Sequence, residues 1–369
     1  MGEELKKTPL YEAHLRHQGK LVPFAGFEMS VQYPTGINAE HKGVRTTAGL
    51  FDVCHMGEFV IRGSQALDLI QKITVNDASK LSVWQAQYSA MCLEHGGIID
   101  DLLVYRGPDH YMLVVNASNK EKDLAWVLKQ AAAFDVEVQD RSDDTALLAV
   151  QGPLAPEIVR GLTETDLAQI GYYRFAQGAV AGIEGVISRT GYTGEDGFEL
   201  YIPWGRAMDL WDALMAAGTH RGLIPAGLGC RDSLRLEMGY ALYGNDLDEE
   251  HTPLESGLGW ITKLEKGDFI GRDVLIRQKE EGVSRRLVGF KLTERGFPRH
   301  GYPLTSGEKD VGVVTSGVVS PSLGVGIGMG YVPVELSGAG TEIGVRIRDR
   351  IIPAVVHRPP FYTEGSIKR

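Results

Sequence analysis

The chain has 369 residues, of which 43% are hydrophobic and 23% charged, and its formal net charge is -10. This length exceeds what one hydrophobic core supports and predicts two or three domains. The acidic balance argues against a nucleic-acid-binding protein, and no apolar run approaches the ~18 residues of a membrane span. Three widely spaced cysteines and an N-terminus without a signal-peptide pattern indicate a cytoplasmic protein without a disulfide framework or zinc ribbon.

The first hundred residues predict short helices and strands. Thr8-Pro9-Leu10 has the features of a helix start, and residues 21–27 predict a strand followed by a turn. The alternating segment 58–62 predicts another strand, after which Ser64 is expected to cap a helix over residues 65–73.

A central hairpin is predicted from two apolar runs, residues 96–105 and 111–116, separated by Gly107-Pro108-Asp109. Asp100 and Asp101 lie within the first run, where aspartate is normally depleted. Successive strand residues point to opposite faces, so one carboxylate can face a pocket while the other faces away. A second interpretation is that both aspartates only end the preceding turn.

The next segment continues the alternation of strands and helices. Ser118 and Glu121 have the spacing of a capping box for a helix over residues 119–134. The apolar stripe expected on that helix consists of Leu124, Val127, Leu128 and Ala131. Strands over 136–138 and 145–150 and a helix after Gly152-Pro153 follow, a pattern that favours an α+β fold over a doubly wound parallel sheet.

A second strand, turn and strand spans residues 187–201 and places Glu199 on one strand face. That face is either solvated or part of a pocket. After a helix over 206–217, residues 227–237 predict a helix with Arg231 and Arg235 one turn apart. A salt-bridged surface with Asp232 and Glu237 would explain this pair equally well. The acidic loop 243–250 lacks the ligand spacing of a calcium site.

From about residue 285 the pattern becomes all-β. Five short strands are predicted, over residues 287–292, 311–315, 327–332, 343–347 and 351–356. The glycines between 324 and 330 do not have dinucleotide-binding spacing, and neither a P-loop nor a zinc-protease or nucleophile-elbow motif is present.

Five motifs occur in order along the chain: Phe51-Asp52-Val53-Cys54-His55-Met56, Gly96-Gly97-Ile98-Ile99-Asp100-Asp101, Gly191-Tyr192-Thr193-Gly194-Glu195-Asp196-Gly197, Cys230-Arg231-Asp232-Ser233-Leu234-Arg235-Leu236-Glu237 and Tyr243-Gly244-Asn245-Asp246. Together they resemble the T-protein family, the aminomethyltransferases of the glycine cleavage system. The resemblance extends from Thr8 to Tyr362. One departure is Cys54, where the family usually has serine, and this puts at most a hydrogen bond in doubt.

The resemblance implies an α+β protein of three domains in a cloverleaf-like arrangement around a hole that holds tetrahydrofolate. The folate-binding region is expected over residues 1–275 and consists of two interleaved α+β domains. We expect the first to comprise approximately 1–50 with 141–245, and the second 51–140 with 246–275. Residues 276–369 are expected to form a C-terminal all-β, barrel-like domain.

The implied reaction transfers the methylene of an aminomethyl group from the lipoyl arm of the H-protein to tetrahydrofolate, a co-substrate. Ammonia and the reduced arm are released, and no metal takes part. Because the path passes near a cationic iminium, a carboxylate aimed at that carbon would stabilise it and accept a proton.

The resemblance also implies roles for individual residues. Asp101 corresponds to the catalytic aspartate, and Glu199 to the acceptor of the paired donors of the pterin. Arg231 corresponds to a folate-contacting arginine, at either the pterin or the glutamate tail. The expected pocket-lining residues are Tyr88, Asn116, Val114, Tyr192 and Met56, although core packing explains Met56 equally well. Tyr362 is expected to reach the folate tail.

Three alternatives remain. A folate-binding relative without transferase activity is expected to lack several of the five motifs. A domain of a flavin-dependent demethylating dehydrogenase would share them, but would follow a flavin domain, whereas this chain is expected to begin at the family's own start. A purely structural role leaves the carboxylates of the central strand unexplained.

Overall fold

The computed structural model describes residues 5–368, which form eight α-helices and nineteen strands. The helices are α1 (Tyr11–Arg16), α2 (Ile37–Thr46), α3 (Ala66–Ile73), α4 (Lys120–Ala131), α5 (Ala155–Arg160), α6 (Ala207–Gly218), α7 (Leu228–Met238) and α8 (Arg272–Glu281). None of these helices has the length and apolar character needed to cross a membrane.

The strands of the first three quarters of the chain are β1 (Lys20–Phe24), β2 (Phe27–Gln32), β3 (Ala48–Asp52), β4 (Gly57–Arg62), β5 (Gln85–Cys92), β6 (Ile98–Arg106), β7 (Tyr111–Val115), β8 (Glu137–Asp140), β9 (Thr145–Gln151), β10 (Phe175–Val180), β11 (Ile183–Ser188), β12 (Gly197–Pro203) and β13 (Leu223–Pro225). Those of the last quarter are β14 (Arg285–Leu292), β15 (Pro303–Ser306), β16 (Lys309–Val319), β17 (Gly326–Pro333), β18 (Glu342–Ile347) and β19 (Arg350–His357).

A six-stranded sheet has the order β10-β11-β12-β9-β3-β13 and is antiparallel except for the pairing of β13 with β3. Leu148 and Leu200 of this sheet belong to one buried cluster with Ile158 of α5 and Trp211 of α6. Burial of these apolar side chains, at about 25 cal/mol per Å² of apolar surface, holds the two helices on this face.

A five-stranded antiparallel sheet has the order β5-β6-β7-β4-β8. Its outer face packs on α3 and α4 through Phe59, Leu69, Leu113 and Val127, all fully buried. The predicted central hairpin is confirmed as β6 and β7, which pair in an antiparallel register.

The two sheets share a buried cluster that joins their inner faces. It includes Tyr105 and Val114 from the five-stranded sheet, Leu147 and Tyr201 from the six-stranded sheet, and Leu234 from α7. Both sheets are therefore covered on two sides over much of their area, which leaves little of either face to solvent.

The last quarter of the chain forms a closed barrel of order β14-β17-β16-β15-β18-β19, which confirms the α+β class with a C-terminal β-barrel. The five predicted strands are all present, and β15 is an additional short strand. Closure leaves the barrel without unpaired sheet edges.

The chain passes from β3 of the six-stranded sheet through β4 to β8 of the five-stranded sheet and returns at β9. This order supports the two interleaved domains that we predict, although the proposed boundary at residue 50 lies inside β3 (Ala48–Asp52). The domain boundaries stay a prediction.

Three local predictions about helix caps and helix faces are wrong. Ser64 does not cap α3 but donates to the Asp135 carboxylate at 2.6 Å. No side-chain capping bond precedes α4, so Ser118 and Glu121 form no capping box. Leu128 of the predicted apolar stripe is 48% exposed, whereas Asp123 and Val127 of the same helix are fully buried.

Candidate active site

A cavity of about 1290 Å³ lies between the inner ends of the two sheets, the N-terminal half of α7 and the edge of the barrel. This volume is large for a small-molecule site and leaves room for an elongated ligand. Eight of the nine predicted site residues line it: Met56, Tyr88, Asp101, Val114, Asn116, Tyr192, Glu199 and Arg231. Tyr362 is not among the lining residues, and its ring lies 4.3 Å from the Arg45 guanidinium carbon.

Asp100 and Asp101 are the third and fourth residues of β6 (Ile98–Arg106). The interpretation that both aspartates only end the preceding turn is therefore wrong. The alternation of the strand turns Asp101 to the cavity and Asp100 to the opposite side, where it is 0% exposed. The two neighbouring carboxylates therefore have different surroundings, as predicted.

Two donors hold the Asp101 carboxylate at the cavity wall. The Tyr88 hydroxyl donates to Oδ2 at 2.8 Å, and Asn116 Nδ2 donates to Oδ1 at 2.9 Å. Burial and, second to it, the charge of Asp100 raise the pKa of Asp101 to about 7. A carboxyl group that titrates near neutral pH can both accept a proton and return it.

Glu199 lies on β12 and is 7% exposed, so the interpretation as a solvated sheet face is wrong. The other sheet covers this face, since the neighbouring Tyr201 hydroxyl contacts the Tyr105 hydroxyl across 3.0 Å. Thr190 Oγ1 donates to Glu199 at 2.5 Å. Burial raises the pKa of Glu199, while Thr190 and Arg231 act in the opposite direction.

Arg231 and Arg235 differ in their partners although both lie on α7. Arg235 forms ion pairs with Asp246 at 2.7 Å and with Asp232 at 2.8 Å. Among residues 5–368 no carboxylate lies within ion-pair distance of Arg231, whose guanidinium carbon is 4.8 Å from the Tyr192 ring centroid. Burial lowers the pKa of Arg231 and the Glu199 charge opposes this effect. The cavity thus contains a cation without a salt-bridge partner.

The remaining motif residues support the walls of the site. The Tyr192 hydroxyl donates to the Ala241 carbonyl, which fixes the ring beside Arg231. Met56 packs on the cluster shared by the two sheets and also lines the cavity, so both interpretations of this residue hold. Cys54 Sγ lies 3.3 Å from the Leu147 carbonyl oxygen, so the cysteine retains a donor contact.

Among the cavity-lining residues that sequence reasoning did not assign are His55 and Trp260. His55 is 3% exposed, its Nδ1 has no partner in the described part of the chain, and burial lowers its pKa to about 4. Its position inside a family motif was the available signal. Trp260 is 65% exposed and its ring centroid lies 6.2 Å from that of Tyr88 in a stacked orientation. Trp260 belongs to no strand or helix, so no periodic pattern marks it.

Within residues 5–368 no group of three or more histidine, cysteine, aspartate or glutamate side chains is arranged to hold a metal ion. The charged groups that line the cavity include the Asp101 and Glu199 carboxylates and the Arg231 guanidinium, together with aromatic side chains.

Comparisons with known proteins assign the chain to one family. Residues 10–266 match the model of the GCVT N-terminal domain, and residues 285–363 match that of the glycine cleavage T-protein C-terminal barrel domain. The aminomethyltransferase of Halothermothrix orenii is 51% identical over 97% of this chain and 100% of its own length. That of Symbiobacterium thermophilum is also 51% identical, over 98% of each chain.

A solved structure agrees with this assignment. The crystal structure of glycine cleavage system aminomethyltransferase T from Bartonella henselae superposes with a TM-score of 0.92 at 36% identity, covering 98% of this chain and 99% of that one. The chain therefore belongs to the T-protein family, the aminomethyltransferases of the glycine cleavage system.

Proposed function

We propose that this protein transfers the methylene of an aminomethyl group from the lipoyl arm of the H-protein to tetrahydrofolate. The carbon–nitrogen bond to the departing amine and the carbon–sulfur bond to the arm break, and two bonds to folate nitrogens form. Ammonia and the dihydrolipoyl arm are the other products. Family membership supports the reaction, and the cavity supports the assignment of individual residues.

The observation that carries the proposal is the Asp101 carboxylate at the cavity wall, with a pKa raised to about 7 and with two fixed donors. The transferred carbon gains positive charge as ammonia leaves. An ionised Asp101 would stabilise that charge, and its basicity suits it to accept a proton from the attacking folate amine. Tyr88 and Asn116 would hold the carboxylate in one orientation throughout.

Glu199 would bind the pterin. A pterin presents an amino group and a ring N–H side by side, and one carboxylate can accept both hydrogen bonds. Arg231 interacts with the Glu199 charge across the same part of the cavity, which supports a place beside the pterin rather than at the glutamate tail. The tail would then extend toward the barrel edge, where Arg286 and Arg358 line the cavity.

The size and chemistry of the cavity support tetrahydrofolate as the co-substrate. Its lining combines carboxylates, among them Asp101 and Glu199, with the aromatic rings of Tyr88, Tyr192 and Trp260, which suit a flat heterocycle. We infer that the reaction needs no metal ion, because proton transfer and charge stabilisation by carboxylates suffice for it. The proposed contact of Tyr362 with the folate tail stays a prediction.

The partner would deliver the aminomethyl group on a long flexible arm, so the cavity must open beside a docking surface. The 65% exposed Trp260 ring at the wall supports an open side near Tyr88 and Asp101. We propose a cytoplasmic location, which the three free, buried cysteines support because reduced thiols are typical of that compartment.

Binding of tetrahydrofolate to the purified protein tests the folate part of the proposal. A ligand at about a hundred times its Kd stabilises the native state by about 2.7 kcal/mol, which raises Tm by a few degrees. Glutamate alone, at the same concentration, is the control. Absence of any rise at saturating tetrahydrofolate would remove the folate site from the account.

A further inference from the structure

Asp123 lies on α4, directly behind the strand that carries the catalytic carboxylate, and is 0% exposed. In the part of the chain that the structure describes, no N–H or O–H donor reaches either of its side-chain oxygens. A buried ionised carboxylate without donors is costly, and such groups bind a proton instead. Nothing in the proposed transfer reaction accounts for an acid at this position.

The group that Asp123 faces is the carboxyl group of Asp100, to which it is hydrogen bonded. Asp100 accepts from the Asn116 backbone N–H at 2.9 Å, from Asn116 Nδ2 at 2.8 Å and from Asn119 Nδ2 at 2.6 Å. Three donors favour the ionised form of Asp100. These donors to Asp100 favour the placement of a shared proton on Asp123, where its O–H would donate to Asp100.

Asn116 connects this pair of acids to the cavity. Its Nδ2 lies 2.8 Å from Asp100 Oδ1, 2.9 Å from Asp101 Oδ1 and 3.0 Å from the Asp101 carbonyl oxygen. The amide that holds Asp101 is thus itself held by Asp100. A change in the charge of Asp100 reaches Asp101 both through this amide and directly, since the two residues are adjacent.

We infer that Asp123 is a positioning residue: as a neutral acid it keeps Asp100 ionised, and Asp100 fixes Asn116 and the protonation of Asp101. The inference rests on the proposed function, in which Asp101 is the catalytic carboxylate. Burial raises the pKa of Asp100, and the hydrogen bonds from Asp123, Asn116 and Asn119 act in the opposite direction. Burial and the Asp100 charge raise the pKa of Asp123 to about 11, and the same two causes raise that of Asp101 to about 7.

Other charged and titratable groups surround the three acids: Lys122 and Glu249, with Tyr243, Tyr88 and Tyr192. Lys122 Nζ donates to the Ile99 carbonyl at 2.8 Å and pairs with Glu249 at 3.0 Å, so its charge already has a partner. The tyrosines are neutral at physiological pH, and burial raises the pKa of Tyr88 and of Tyr192 further. Among the acids around Asp100, Asp123 is the one that can donate a proton to its carboxylate, beside the amide donors of Asn116 and Asn119.

Two substitutions of Asp123, both close to aspartate in size, test whether the hydrogen-bond donor at this position matters. One keeps a donor and the other does not. In Asp123→Asn the amide Nδ2 replaces the O–H donor, so Asp100 stays ionised and the pH profile of kcat/KM keeps its midpoint. In Asp123→Leu the donor at position 123 is lost and Asp100 keeps only those of Asn116 and Asn119. Asp100 then takes up a proton, and Asp101 loses the adjacent charge. The midpoint of the rising limb should then fall by about one pH unit. Equal midpoints in all three proteins would overturn the inference.

Infrared spectroscopy detects the protonated carboxyl group of Asp123 without an assay of activity. The comparison uses Asp123→Asn, which keeps the size of the side chain. At about pH 8 an ordinary aspartate is ionised, so a protonated Asp123 contributes a distinct carbonyl band. The difference spectrum between the wild type and Asp123→Asn should contain that band. Glu121→Gln, an exposed position on the same helix, should give none. A difference spectrum without the band would contradict the inference.

These outcomes are distinguishable from failure of the proposed function. If Asp101→Asn retained full turnover, the catalytic role of Asp101 would be lost while the infrared result on Asp123 still stood. If the band were missing but Asp101→Asn were inactive, the proposed function would stand and the role of Asp123 would not.

Discussion

Glu199→Gln separates folate recognition from stability. The substitution keeps the size of the side chain, but an amide presents one acceptor and one donor where the carboxylate presents two acceptors. Hydrogen bonds to a charged group contribute about 1.5–3 kcal/mol each. Loss of one such bond should weaken tetrahydrofolate binding roughly ten- to a hundred-fold.

The stability of the unliganded variant should not fall, and the sign follows from the pKa. Burial raises the pKa of Glu199 in the folded state, so folding disfavours its ionised form. That contribution destabilises the native state progressively as the pH rises above the value of the unfolded chain. A neutral glutamine removes it, so the Tm of the unliganded variant at neutral pH should equal or exceed that of the wild type.

Isothermal titration calorimetry with tetrahydrofolate gives the affinity, and thermal unfolding without ligand gives the Tm. The matched control is Glu184→Gln, the same chemical change at an exposed position on the neighbouring strand β11. It should change neither quantity. Unchanged affinity in Glu199→Gln, or equal weakening in both variants, would refute the assignment of Glu199 to the pterin.

Three further predictions concern the chemistry and the partner. Asp101→Asn should abolish turnover while calorimetry shows nearly unchanged folate affinity, because the amide keeps size but not charge. Asp100→Asn should lose far less activity, and equal losses would mean that the roles of the two faces are wrongly assigned. The kcat/KM of the wild type should rise with pH around about 7 as Asp101 ionises, and a flat profile would contradict its role as a base. Free aminomethyl-lipoamide should react orders of magnitude more slowly than the same group on the H-protein at equal, low concentration, because docking contacts position the reacting carbon. Equal rates would contradict the role of the H-protein as the carrier.

Features that depend on strict periodicity could be predicted from the sequence. A strand repeats every two residues, so a hairpin over 98–115 necessarily separates Asp100 from Asp101. The same argument placed Glu199 on one face of its strand. It could not tell whether that face was solvated, because this depends on the second sheet, whose strands come from a different part of the chain. The barrel strands were predictable because Gly, Pro and Ser separate short apolar runs.

The features that sequence reasoning missed all depend on contacts between distant segments. Ser64 donates to Asp135, 71 residues away, where a local helix cap was expected. Asp123 is not part of the apolar stripe predicted for α4, yet it is fully buried behind Asp100, while Leu128 of that stripe is 48% exposed. A hydrophobic stripe places a helix on a sheet only approximately, and a buried polar contact can rotate it.

Arg231 and Arg235 illustrate the same limit within one helix. Both arginines share a residue type and a turn of α7, and local spacing suggested salt bridges for the pair. The ion pair of Arg235 with Asp246 depends on a loop that follows the helix. Among the described residues Arg231 has no ion pair with a carboxylate. This depends on how distant segments form the cavity, so local spacing could not predict it.

The central claim is that Asp101 promotes transfer of a methylene from the H-protein arm to tetrahydrofolate. The most direct measurement is the formation of methylenetetrahydrofolate and ammonia from tetrahydrofolate and aminomethyl-lipoyl H-protein, compared between the wild type and Asp101→Asn. We predict equimolar release of both products with the wild type and none above the uncatalysed rate with the variant. Binding of tetrahydrofolate by the wild type without formation of either product would contradict the account.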